Sequence, residues 1–128
     1  MDLTYFKRYR MEIDLAGRDL SAPAPEGYGF LGWEPSLLET FAEAKYRSFC
    51  GEIDANVFPC LGEVAGCRRL MSEIAQKPGF VAEATWLAVF RGDSGRPVYC
   101  GTVQGVRDRQ GRGAIQNLGI APAHRNQG

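Results

Sequence analysis

Long apolar runs are missing from this chain, and so is an excess of charge of either sign. No stretch approaches the length of a membrane span. The N-terminus, Met1-Asp2-Leu3-Thr4, lacks the charged region and apolar segment of a secretory leader, so a cytoplasmic location is the default expectation. Lys and Arg number 15, as do Asp and Glu, for a formal net charge of zero. Dedicated nucleic-acid binders carry a strong basic excess, which argues against nucleic acid as a partner. The basic start at Lys7, Arg8 and Arg10 is too short to change that balance. Histidine occurs once, at His124, and none of Cys50, Cys60, Cys67 and Cys100 forms a CxxC pair. This argues against a zinc site and leaves no metal in the expected cofactor set. Disulfides stay open as an alternative. The favoured reading is buried or half-buried thiols behaving as small hydrophobes. Repeats and low-complexity blocks are also missing.

What is there suits one domain. The chain has 128 residues, 45% of them hydrophobic, enough to bury a real but small core. Residues 1–27 read as an N-terminal extension. Within it Tyr5–Leu15 alternates loosely, with Tyr9, Met11 and Ile13 against Arg8, Arg10 and Glu12, which predicts a strand. A stiff proline-rich connection, Ser21–Gly27, follows. Tyr28–Trp33 predicts a second short strand. Ser36 and Glu39 have capping-box spacing behind Pro35, and Leu37, Leu38, Phe41, Ala42 and Ala44 supply an apolar stripe, so a helix is expected from there to about Cys50-Gly51. Glu52–Pro59 reads as an acidic loop. Val64, Cys67, Leu70, Met71 and Ile74 predict a second helix over about Leu61–Gln76, weakened early by Gly62 and Gly66 and stopped by Pro78-Gly79. Thr85–Phe90 is a dense apolar run of the kind buried on both sheet faces. Val98–Val106, with Gly101 and Gly105 as candidate bulges, and Ala114–Ile120 complete three consecutive strands joined by polar turns. The order predicts a mixed α/β, or α+β, domain with a mostly antiparallel sheet and two helices between the first and second core strands.

The segment that carries chemistry is Asn117–Gly128. A strand exits through Ala121-Pro122-Ala123-His124 into Arg125-Asn126-Gln127-Gly128, a polar, glycine-bearing turn expected to open a helix. Such an opening leaves backbone N–H groups unpaired, and those donors favour a phosphate. Glycine permits an anion to approach the backbone closely. Taken alone, an Arg-x-x-Gly turn is more often plain surface.

This segment resembles the acetyl-CoA-binding motif of the GNAT family of N-acetyltransferases. Leu118-Gly119-Ile120 and Pro122 match that family's strand and its exit, and Arg125-Asn126-Gln127-Gly128 matches the first four positions of its phosphate loop. The order of elements over Tyr28–Gly128 also agrees, which makes 28–128 a partial acetyltransferase domain of GNAT-like acyl-CoA N-acyltransferase fold, incomplete at its C-terminus. The resemblance implies that acetyl-CoA is the co-substrate. The backbone of Leu118, Gly119 and Ile120 would line the pantetheine arm, and the N–H groups of Arg125, Asn126, Gln127 and Gly128 would cradle the pyrophosphate, with Arg125 also available to phosphate. An amine acceptor, small molecule or peptide, would be shaped by the region around Tyr46, Glu52, Asp54 and Phe58, whose acids suit a cation.

The match also fails in places. The chain ends within the loop, so on this reading it would bind acetyl-CoA poorly and turn over little by itself. Some relatives carry a glutamate base where Ala114 stands here, and neither Gln116 nor Asn117 can replace it, so the catalytic residues stay unassigned. His124, beside the loop, is expected to face solvent or phosphate rather than the acyl group. Two rival expectations are a non-catalytic module binding acyl-CoA or a protein, and a homodimer that completes its sheet across the open edge.

Overall fold

The computed structural model describes Leu3 and residues 5–128; Met1, Asp2 and Thr4, part of the predicted extension, lie outside the described residues. The described residues form an α+β fold of three helices and a four-stranded antiparallel open sheet in the order β1-β2-β3-β4. Strand β1 spans Tyr28–Gly32. Helix α1 runs Leu38–Phe49, a short α2 covers Ile53–Val57, and α3 runs Val64–Ala75. Three longer strands follow, β2 (Phe80–Arg91), β3 (Pro97–Arg107) and β4 (Gly113–Ile120). Among the described residues, no helix is long and apolar enough to cross a membrane.

Apolar periodicity places both long helices on one face of the sheet. Phe41 and Ala44 from α1 meet Met71 from α3 and Leu87 and Val89 from β2 in one core cluster. Ala42 and Phe49 join Leu61 and Cys67 in a second, between the helices. Trp33 closes the first cluster at the sheet's end, with its ring edge-on to Phe41 at 5.1 Å and to Phe80 at 5.8 Å. The two predicted helices and the three consecutive strands are thus present, as is the strand at Tyr28.

Several local expectations are corrected. Tyr5–Leu15 forms no strand; Tyr5, Tyr9, Met11 and Ile13 all stay exposed. Alternation of side chains only assigns faces, and a strand still needs a neighbour for its backbone. Instead Glu12 pairs with Arg10 and with Arg112 at the far turn. The capping box is also absent. Ser36 sits inside a 3-10 turn, Pro35–Leu37, no side chain caps α1, and Glu39 pairs with Arg68 on α3. The acidic loop contains α2, and Leu61 and Gly62 belong to a 3-10 turn, Pro59–Gly62, so α3 starts at Val64. Strand β2 is not buried on both faces: Thr85, Leu87 and Val89 point into the helices, whereas Trp86 is 40% exposed on the other side. Helices cover one face only, so the alternation expected of a half-covered antiparallel strand replaces a uniform burial. Cys50 is exposed, against the expectation of a buried or half-buried thiol, while Cys67 and Cys100 are buried and all four cysteines are free.

Gly66 shows why a weak helix former stands in α3. A Cβ there would collide with the carbonyl oxygen of Cys60, so glycine lets the Pro59–Gly62 turn lie directly on the helix. Alanine improves helix propensity by about 1 kcal/mol, but forced separation of packed backbone costs about 1–3 kcal/mol. Gly66→Ala is therefore expected to lower the unfolding free energy by about 1 kcal/mol or more in urea titrations. A more stable variant would show that turn and helix are not in contact.

Candidate functional site

Strand β4 is the edge of the sheet, and its regular pairing is interrupted once. Gln116 pairs with Gln104 and Gly119 with Thr102, so Asn117 and Leu118 together stand opposite Val103 alone. This two-against-one arrangement is a β-bulge, which bends the strand and breaks the ladder locally. Asn117 lies in the left-handed region at φ 51°, a conformation open to asparagine and costly for most other side chains.

Beyond the bulge, Gly119 faces inward. A Cβ there would sit 2.7 Å from the Phe49 ring and 2.9 Å from the Ser48 Cβ, so the small residue of the Leu-Gly-Ile motif is what allows the end of α1 to reach β4. Leu118 points the other way and is 63% exposed. After Ile120 the chain makes a 3-10 turn, Pro122–His124, rather than the expected α-helix start. Arg125 is extended and Asn126 is left-handed at φ 63°, so no helix opens within the described residues. The Arg125 N–H donates to the Pro122 carbonyl, a long bond at 3.4 Å. Among the described residues, the N–H groups of Asn126, Gln127 and Gly128 donate to no protein acceptor.

The Arg125 side chain is committed elsewhere. Its Nε donates to the Ile120 carbonyl at 2.9 Å, one Nη to Glu52 Oε1 at 2.8 Å and the other to the Ser48 carbonyl at 3.2 Å. It is neither a solvated arginine nor one free for a phosphate; it fastens the exit of β4 to the end of α1. The same bond removes Glu52 from the pool of unpaired acids. Tyr46 packs against the cluster between the helices, and Phe58 carries the Arg8 guanidinium 5.3 Å from its ring centre. Asp54 alone of the expected acceptor acids has no ion-pair partner among the described residues. These four residues therefore do not converge on one acidic pocket. His124 accepts or donates a 2.9 Å hydrogen bond between its Nδ1 and the Tyr28 hydroxyl, beside the Phe90 ring. Tyr28 and His124, 96 positions apart, carried no sequence signal of their proximity.

One group at the site was overlooked in the sequence. Lys45 is completely buried, yet its nearest partners are neutral. Its Nζ donates to Gln104 Oε1 at 2.5 Å and to Asn117 Oδ1 at 3.0 Å. Gln104, itself buried, donates onward to Thr102 Oγ1 at 2.6 Å. A signal existed: Lys45 falls four residues after Phe41 and four before Phe49, on the stripe that α1 buries. Burial pushes the ammonium down to about 7, with the thiols of Cys67 and Cys60 opposing. The same burial pushes the Cys67 thiol up to about 11. Among the described residues no three His, Cys, Asp or Glu side chains gather into a metal-binding group.

No protein-family model matches the chain, and no curated protein matches it.

The pH dependence of stability follows from Lys45. Its folded value is depressed, so its contribution is present in full above the ordinary lysine value and is lost as pH falls toward about 7. Cys67 acts oppositely, losing its contribution as pH rises above its ordinary value of 9.0. Between about 7 and 9.0 the lysine dominates, and stability is expected to rise with pH by up to about 1.4 kcal/mol per unit. Denaturant midpoints measured across that window check this, and a flat profile would mean that Lys45 reaches water.

Proposed function

We propose that this chain provides the cofactor side of an acyl-CoA-dependent N-acetyltransferase of GNAT-like fold, with acetyl-CoA as co-substrate and a primary amine as acceptor. The observation that carries this reading is the bulged edge strand β4 leading straight into Asn126, Gln127 and Gly128, whose N–H groups meet no protein acceptor among the described residues. An interrupted edge offers backbone groups to an extended pantetheine arm, and unpaired amides suit a diphosphate. The phosphate recognition assigned here is by backbone amides alone, because the Arg125 guanidinium is occupied by Glu52 and two carbonyls.

In the proposed reaction a neutral amine attacks the thioester carbonyl. A C–N bond forms, the C–S bond breaks, the amine gives up a proton and the coenzyme thiolate takes one. The protein holds the two reactants in place, and N–H groups along Leu118–Ile120 stabilise the developing oxyanion. No residue is assigned as the base. Glu52 is held by Arg125, Ala114 has no acid, and Asp54 lies on α2 rather than on β4.

That shortage favours a second reading, a non-catalytic module that binds an acyl-CoA or a partner protein. In both readings a cytoplasmic protein is proposed.

Acetyl-CoA titrated into the 128-residue chain, followed by amide NMR, discriminates between these proposals. Because β4 presents only one wall, weak binding with a Kd on the order of 1 mM is expected, with shifts confined to residues 117–128 and α1's end. Added acceptor amines should yield acetylated product only under the enzyme reading. Shifts elsewhere, or none at saturating acetyl-CoA, overturn the enzyme reading and the acyl-CoA-binding form of the second, leaving only a partner-protein module.

A further inference from the structure

The left-handed bulge of β4 has an internal support. Asparagine tolerates φ 51° better than most residues, but it does not require it. Here its side-chain carbonyl is taken by the Lys45 amine, which is anchored in turn by Gln104 on β3. The lysine thus reaches from α1 through the sheet's covered side to Gln104, which borders the register slip, and to Asn117, which lies within it.

The chemistry of the partners is specific. Both acceptors are amide oxygens, and no carboxylate among the described residues is bonded to the amine. A neutral amine has two N–H donors and two acceptors here to receive them. An ammonium has a third N–H, and a fully buried charge without a counter-ion is costly. The titratable groups facing Lys45 are the thiols of Cys67 on α3 and Cys60 in the turn before it; β3 and β4 present only amides and the Thr102 hydroxyl.

We infer that Lys45 is a positioning residue for the proposed acyl-transfer site: its buried amine, hydrogen-bonded to Asn117, holds the bulge that opens the β4 edge where the cofactor's thioester arm would lie. The inference rests on the acetyl-CoA reading for its purpose, but the bulge lock itself exists without cofactor. Lys45 touches neither substrate in this scheme; it acts through the backbone of Asn117 and Leu118.

The test uses the ligand-free 128-residue chain. Amide resonances of Asn117 and Leu118 are expected to titrate together with a midpoint of about 7. Asn117→Asp supplies a carboxylate to the amine and should raise that midpoint by about one unit or more. Lys45→Met should remove the titration and speed amide exchange at residues 117–119 about tenfold, since the left-handed residue loses its partner. In an Asn117→Gly background, where φ 51° carries no penalty, the same Lys45→Met change should alter exchange at those amides far less. Equal effects of Lys45→Met in both backgrounds, or a midpoint unmoved by Asn117→Asp, overturn the lock. Should Lys45→Met not fold, the Asn117→Asp shift decides by itself. Failure of the acetyl-CoA reading shows separately, as absent shifts on adding acetyl-CoA to a chain whose Asn117 amide still titrates.

Discussion

A single amine joins the three elements that shape this molecule's chemistry. Lys45 projects from α1, meets Gln104 on β3 and ends on Asn117 in β4. Removing a charge from water is among the larger costs a small domain can carry, and the structure meets it with amide oxygens instead of a carboxylate. Burial lowers the amine to about 7, so its charged and neutral forms are comparably populated near neutral pH, and the amide oxygens keep it bonded to the strand's irregular point. The crossing of α1 over the sheet, the slip between β3 and β4 and the conformation of Asn117 are therefore one arrangement with shared partners.

A second constraint is the close approach of α1 to β4. Gly119 leaves room for Ser48 and Phe49, and Arg125 then bonds the Ser48 carbonyl and Glu52 from the other side. Helix end, edge strand and exit turn become a single unit. The Arg125 guanidinium is spent on this fastening, so under the proposed acetyl-CoA reading any recognition of the diphosphate would fall to backbone amides. Backbone donors are a suitable alternative, because they are fixed in direction and need no counter-ion.

The sheet itself is covered on one side. Leu87, Val89 and Thr85 are buried beneath the helices, while Phe30, Trp86, Ile115 and Leu118 remain exposed on the opposite face and along the edge. The proposed cofactor arm lies along part of that edge, at Leu118.

Apolar periodicity made the helices α1 and α3 legible, because burial on one stripe leaves a spacing that can be read residue by residue, whereas the four strands were read as apolar runs between turn residues. Local rules failed where a distant partner decided: Glu39 left its cap for Arg68, Tyr5–Leu15 found no edge to pair with, and β2 was half-exposed because only one face received helices. In the candidate site, the sequence placed the edge strand correctly, but the expected helix start after it is a 3-10 turn followed by extended backbone. It could not disclose that Arg125 meets Glu52, that Tyr28 meets His124, or that Lys45 meets Asn117, pairs separated by 73, 96 and 72 positions. Such contacts depend on how the helices cross the sheet, and that geometry exists only once the chain has packed. Composition and pattern determined the elements and their order; tertiary packing decided which polar groups are spent on structure and which remain free for a ligand.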